Sequence, residues 1–290
     1  MKADVRAYQL TAPDSLVEVL AILSAEPGRY TPLAGGTELM VALNAGRLEQ
    51  RSLISLHALR ELKFIREEDG ELHLGAASTF TDIRRSERIA QRLPLLASAA
   101  SWTGSIANQN RGTLGGNCCN ASPAADSPPV LLAYGARVKL VSMHGNTIKE
   151  RWLPYEAFNL GYKKTALAPN ELLHTIAVPM KHDGTRQWIR KVGTRNAQAI
   201  SKVALACVAR LEERTLTDVR IGAASLSERP MRCYAAERVL AGASLDDLET
   251  VRLARAALAA EAKPIDDIRS TARYRSHVAA NLLEEFLRSL

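Results

Sequence analysis

The chain has 290 residues, is 47% hydrophobic and 24% charged, and carries a formal net charge of +7. That length suits one large or two moderate globular domains, and no apolar run approaches the roughly 20 residues needed to cross a bilayer. The opening MKADVRAYQL lacks the apolar stretch of a secretory signal, and the four cysteines (Cys118, Cys119, Cys207, Cys233) have neither CxxC spacing nor histidines at metal-ligand spacing, so a cytoplasmic protein with reduced thiols and no metal of its own is expected.

The positive charge is scattered. Its densest cluster, Ile83–Arg92 (IRRSERIAQR), has no aromatic platform beside it and reads as a solvated helix face rather than a nucleic-acid patch.

In chain order, VRAYQLT alternates like a short strand. Ser15 then stands where it can cap a helix whose apolar residues Leu16, Val19, Leu20 and Leu23 follow the i, i+3, i+4, i+7 rule, with Gly28 placed to end it. YTPLAGG reads as a strand running into a glycine turn, TELMVALNAG as a short helix, and RSLISL as a strand. LKFIREEDGELHLGAAST predicts a hairpin turning at Asp69-Gly70. IAQRLPLLASAASWTGS reads as a mostly buried helix with a proline near its middle. PPVLLAYGARVKLVS predicts a short helix and a strand, HGN at 144–146 a hairpin turn, and TIKERWL and ELLHTIAVP two further strands.

The polar, turn-rich PMKHDGT then predicts a boundary, giving domains over 1–179 and 180–290. RQWIRKVGTR, SKVALACVARLEE and LTDVRIGAAS read as three antiparallel strands. Helical segments follow near Met231–Ala241, Leu245–Ala262 and Thr271–Leu287, the last with a stripe of Tyr274, Val278, Leu282 and Phe286. Runs of strands followed by runs of helices argue for an α+β fold.

Two paired glycines carry the functional signal. PLAGGTEL places Gly35-Gly36 between a strand and a helix, and TLGGN repeats the pair at Gly115-Gly116. Without Cβ atoms, both loops can bring backbone N–H groups close to an anion, and N–H clusters at helix starts bind phosphate oxygens. Thr37, Thr113 and Asn117 add polar side chains. Alone, a glycine pair is most often a tight turn, and neither loop matches the P-loop or GxGxxG pattern.

PLAGGTEL together with IANQNRGTLGGNCCNASPAADSPPVLLAYGARVKL, RKVGTRNAQAISKVALAC and STARYRSHVAANLL resembles the flavin-binding medium subunit of the molybdenum hydroxylases, the family of xanthine dehydrogenase and aerobic carbon monoxide dehydrogenase. The resemblance spans nearly the whole chain. It implies an FAD-binding domain of the vanillyl-alcohol-oxidase (PCMH) type in two subdomains, followed by a smaller domain of a three-stranded antiparallel sheet with a helical bundle. It also implies that the two glycine loops together grip the FAD pyrophosphate. By position, Leu33, Ala34, Gly35, Gly36, Thr37, Glu38, Leu39 and Met40 match the first loop. Thr113, Leu114, Gly115, Gly116 and Asn117 match the second, Asp126 matches an acid near the flavin nucleotide, and Lys191 matches a position close to the isoalloxazine ring. Glu38 stands where many relatives carry Asp or Ser. No cysteine-rich insertion is present, so an iron–sulfur cluster in this chain is not expected.

Each residue also has a plainer reading. Asp126 could be a helix N-cap, Lys191 an exposed strand lysine, and Trp102 a core residue. Cys118 and Cys119 read as semi-buried packing residues, and His57, His73, His144, His174, His182 and His277 suggest no catalytic pair. The resemblance implies an electron-transfer subunit with no catalytic acid or base of its own. Electrons would come from [2Fe-2S] clusters on a small partner subunit, substrate would be hydroxylated at a molybdenum cofactor on a large one, and the acceptor would be NAD+, oxygen or a quinone. A dimer of heterotrimers is the assembly expected. Two alternatives remain at this point: a stand-alone FAD-dependent reductase of the same fold, and a non-redox nucleotide-binding module.

Overall fold

The computed structural model of the chain describes residues 4–195 and 198–290. Its first unit alternates β1 (Gln9–Thr11), α1 (Leu16–Ala25), β2 (Tyr30–Leu33), α2 (Leu39–Asn44) and β3 (Ser52–Ser55). The strands form a parallel sheet of order β1-β3-β2. Ser15 Oγ accepts from the Glu18 N–H at 3.2 Å, and Leu16, Val19, Leu20 and Leu23 are buried, so the capped amphipathic helix forms as its spacing predicts.

The second unit is a five-stranded antiparallel sheet, β4-β5-β10-β6-β7. Its strands are β4 (Ile65–Glu68), β5 (Glu71–Gly75), β6 (Arg137–His144), β7 (Thr147–Pro154) and β10 (Leu172–Pro179). Asp69 and Gly70 both take left-handed φ at the β4–β5 turn, +50° and +76°, as a tight hairpin demands. Between β5 and β6 lie α3 (Phe80–Arg85), α4 (Glu87–Arg92), α5 (Pro94–Trp102), α6 (Ile106–Gln109), α7 (Leu114–Asn120) and α8 (Ser127–Ala133). The single helix expected through Pro94 is therefore two. Leu93 is extended in φ at −135° and Pro94 opens α5, because proline lacks the N–H that would continue α4 and crowds the residue before it. After β7 come α9 (Tyr155–Phe158) and a small hairpin of β8 (Asn159–Gly161) and β9 (Lys164–Thr165).

The last unit is an antiparallel sheet of β11 (Arg186–Val192), β12 (Val203–Glu212), β13 (Thr215–Ala224) and β14 (Met231–Arg232), followed by α10 (Tyr234–Leu240), α11 (Leu248–Glu261) and α12 (Ala272–Arg288). Three strands were expected and a short fourth is present. Met231 and Arg232 pair with Ala223 and Gly222, which delays the helix expected from Met231 until Tyr234. α11 likewise starts at Leu248, after Asp247 accepts from the Glu249 N–H at 2.9 Å. In the expected α12 stripe, Leu282 and Phe286 are buried and Val278 packs partly against the core, while Tyr274 is exposed at its outer end.

β12 explains how the units join. Val203, Leu205, Cys207 and Ala209 point into the core beneath α10–α12, whereas Ala206 and Val208 belong to the core around α5 and α8. A strand buried on both faces must be apolar at consecutive positions rather than alternating, hence VALACVA. Beside it, a Cβ on Gly222 would lie 2.0 Å from the Pro129 carbonyl oxygen, so glycine there lets β13 lie directly on α8.

Candidate functional site

The two glycine loops meet. A Cβ on Gly35 would sit 1.9 Å from the carbonyl oxygen of Arg111 and 3.0 Å from the Gly112 Cα, immediately before the second loop. Only glycine permits this approach. Gly36, with φ +74°, turns the chain into α2, and its carbonyl accepts from the Met40 N–H at 2.9 Å. The N–H groups of Gly35, Gly36, Thr37 and Glu38 have no protein acceptor among the described residues. Thr37, Glu38 and Met40 are exposed, and Leu33, Ala34 and Leu39 are half-buried. A run of unpaired donors at a helix start is a ready cradle for anionic oxygens.

The second loop differs from its expectation. It was expected to offer free N–H groups too, but they are taken. Leu114 N donates to Ser78 O and Gly115 N to Ala76 O, both at 2.9 Å, and Asn117 N donates to Thr113 O at 3.0 Å. Gly116 N donates to the Thr113 hydroxyl at 3.0 Å. The loop forms the first turn of α7 while laddering against residues 76–80, which uses the donors of Leu114 to Asn117. Gly115 is glycine because a Cβ would lie 2.5 Å from that of Ala76. Gly116 is exposed, and a Cβ there would touch only the Thr113 hydroxyl, at 2.9 Å. The second loop thus presents an open, side-chain-free wall rather than a set of free donors.

Asn117 leads toward the other end of the site. Its Oδ1 accepts from the Ser127 hydroxyl at 2.5 Å, and next to Ser127 stands Asp126. Asp126 occupies the N-cap position of α8 but makes no side-chain cap bond. Its Oδ2 accepts from Lys191 Nζ at 2.7 Å, with the two side chains only 11% and 12% exposed. The lysine is therefore neither exposed nor free. It also donates to the Trp102 carbonyl at 3.4 Å. Asp126 Oδ1 is buried with no protein partner. Burial raises the Asp126 carboxyl above its ordinary range, and Lys191 offsets this only in part. An orphaned acceptor of this kind calls for a donor from a ligand or water.

Trp102, half-buried rather than in the core, helps line a cavity of about 600 Å³ with Ile189, Lys191 and Val192. The candidate residues thus fall in two groups, the meeting glycine loops and the Asp126–Lys191 pair where β11 meets the N-terminal units, linked through the Asn117–Ser127 hydrogen bond. Cys118 is buried and Cys119 half-buried, both with free thiols, and burial pushes the Cys118 thiol up to about 12. Burial disfavours the reactive thiolate, so packing is the role their placement supports. Sequence reasoning missed Lys163, whose Nζ reaches Glu38 Oε1 at 3.0 Å and Asn120 Oδ1 at 2.5 Å. No local pattern flags a lysine 125 positions from its partner.

Among the described residues, no group of three or more His, Cys, Asp or Glu stands together as a metal site, and no helix is long and apolar enough to cross a membrane.

Residues 6–181 match the family of the FAD binding domain in molybdopterin dehydrogenase, and residues 188–290 match the CO dehydrogenase flavoprotein C-terminal domain. The chain is 28% identical to the xanthine dehydrogenase FAD-binding subunit of Escherichia coli O157:H7, over 98% of this chain and 95% of the relative. It is 31% identical to the caffeine dehydrogenase subunit beta of a Pseudomonas species, over 81% of this chain and 79% of the relative. Among solved structures it is similar to a chain of carbon monoxide dehydrogenase from Hydrogenophaga pseudoflava, with a TM-score of 0.90 at 29% identity, covering 96% of this chain and 95% of that one.

Proposed function

Since the chain belongs to the family of FAD-binding domains of molybdopterin dehydrogenases, carried here with the CO dehydrogenase flavoprotein C-terminal domain, we propose that it is the FAD-holding, electron-transferring medium subunit of a multi-subunit molybdenum hydroxylase. The observation that carries this reading is the run of unpaired N–H groups from Gly35 to Glu38, pressed by Gly35 against the backbone that opens the second loop.

Residues Leu33–Met40 hold the pyrophosphate through these donors, aided by the positive end of α2. Thr113–Asn117 supply the wall against which it lies, with Gly116 leaving room. The orphaned Asp126 Oδ1 accepts from a hydroxyl or N–H toward the flavin end, and Lys191 keeps that carboxylate fixed across the two domains, 1–179 and 180–290. When bound, FAD would supply the redox step that takes electrons from iron–sulfur clusters and hands them to an external acceptor. The chain binds and orients the cofactor and screens it from water. It needs no acid or base acting on an organic substrate.

The large molybdenum-cofactor subunit and the small [2Fe-2S] subunit are the partners, in a dimer of heterotrimers. Large exposed apolar side chains support such interfaces: Leu10, Leu248, Ile265 and Ile268 all stand in solvent. Four free thiols suit the cytoplasm. The test is to purify the chain with its genomic neighbours and measure flavin per chain. One FAD per chain, reduced when the complex meets its substrate, is expected. A colourless chain that takes up no FAD on reconstitution overturns the reading.

A further inference from the structure

We infer that Lys163 is a latch that holds the two FAD-binding loops in register and so sets how long the cofactor stays bound. The inference rests on the FAD reading above and concerns side chains that reading does not use. Lys163 is the second of the two turn residues between β8 and β9, and it has φ +55°. Lysine rarely adopts this left-handed conformation, and glycine would do so freely. A strained backbone at an exposed turn calls for a reason, and the contacts of Lys163 supply one.

Its Nζ lies 3.0 Å from Glu38 Oε1 and 2.5 Å from Asn120 Oδ1. Its backbone N–H donates to the Ala121 carbonyl at 3.2 Å. Glu38 stands at the N-cap position of α2 yet makes no cap bond there, its side chain going to Lys163 instead. Asn120 is the last residue of α7, and Ala121 is its left-handed C-cap. Each of these helices begins at one of the two glycine loops. One lysine therefore ties the helix that follows the first loop to the far end of the helix that follows the second. Gly35 against Arg111 makes the other tie. The loops are pinned at two points, with the unpaired N–H groups of the first loop between them.

The hairpin itself is held independently: Arg229 Nη1 donates to the Asn159 carbonyl at 2.6 Å, and Ala166 N donates to the Phe158 carbonyl at 2.9 Å. Losing the Lys163 side chain should leave the hairpin in place and free the loops to part. Such an effect belongs to the cofactor's dissociation rate rather than to the fold.

The experiment measures FAD release from the whole chain into excess apo-glucose oxidase, which takes up FAD and regains activity, alongside the melting temperature of the FAD-free form. In Lys163→Gly the backbone strain is relieved and the latch is gone. FAD should leave roughly 5–10-fold faster, a change of about 1 kcal/mol that a bridge of two partly exposed contacts can supply, while the apo melting temperature holds or rises. Glu38→Gln should speed release by a smaller factor, because the Asn120 contact remains, and the double variant should be no faster than Lys163→Gly alone, because the Glu38 side chain acts through Lys163. Lys163→Arg should recover most of the retention. Unchanged release in Lys163→Gly, or fully additive effects of the two single changes, overturns the latch while leaving the FAD reading intact. A parent chain that holds no FAD overturns both.

Discussion

The two glycine pairs share letters but not tasks. Gly35-Gly36 precedes α2 and Gly115-Gly116 lies in the first turn of α7, each pair within two residues of a threonine. At the first pair, the glycines free the backbone from its own hydrogen bonds: Gly36 turns with φ +74° and the donors from Gly35 to Glu38 stay unpaired. At the second, the donors of Leu114, Gly115, Gly116 and Asn117 all have acceptors. There Gly115 lets α7 pack on Ala76, and Gly116 keeps a surface bare. A glycine pair is therefore not a phosphate signature by itself. What matters is where the N–H groups go.

The sharpest way to break this contrast is at Gly35, which serves both loops. Gly35→Val places a side chain on the Arg111 carbonyl and must push the loops apart. It should cost on the order of 3 kcal/mol of stability and at least a comparable amount in FAD binding, about a hundredfold. Calorimetry with FAD titration reads both. Near-parental affinity would show that the loops do not act together.

Next in size is the charge pair at the other end of the site. Lys191→Met leaves the buried Asp126 without its cation, which should cost about 3 kcal/mol near neutral pH, so the residue is as much a structural partner as a modulator of the flavin. The folded-state pKa of Asp126 is raised, so its protonated form favours the fold. That contribution is complete in acid and disappears as pH rises through the folded value. Without Lys191 the carboxyl is raised further, so the variant should lose more stability than the parent as pH rises above the ordinary carboxylate range. The Asp126→Asn, Lys191→Met double variant should not. Parallel pH–stability curves for the parent and Lys191→Met would rule out the buried pair.

Smaller effects separate the neighbours in the second loop. Gly115→Ala overpacks Ala76 and should cost about 1–3 kcal/mol of fold stability. Gly116→Val crowds only the Thr113 hydroxyl that caps α7 and should cost no more than a lost cap, about 1 kcal/mol, while FAD content falls sharply. If the two variants behave alike, the division between a packing glycine and a ligand-facing one is wrong.

What the sequence revealed follows the same division between local and distant. Ser15 with its i, i+3, i+4, i+7 leucines and valine, the Asp69-Gly70 turn and the paired glycines are written within a few residues of each other, and the structure contains them. β14 could not be read, because Met231–Arg232 pairs only once β13 is beside it. Nor could the fate of the second loop's donors, since their acceptors Ala76 and Ser78 lie on another segment. The Asp126–Lys191 pair spans 65 positions and joins two domains. Resemblance marked both residues as near the flavin, but only the fold shows that they hold each other.

The central claim is that the first loop supplies free amides and the second does not, and amide hydrogen exchange with and without FAD tests it most directly. Without FAD, the amides of Gly35 to Glu38 should exchange fast and those of Leu114 to Asn117 slowly, because only the latter are hydrogen-bonded. Adding FAD should slow the first set strongly and change the second little. Protection appearing mainly at Leu114–Asn117, with Gly35–Glu38 unaffected, would contradict the account.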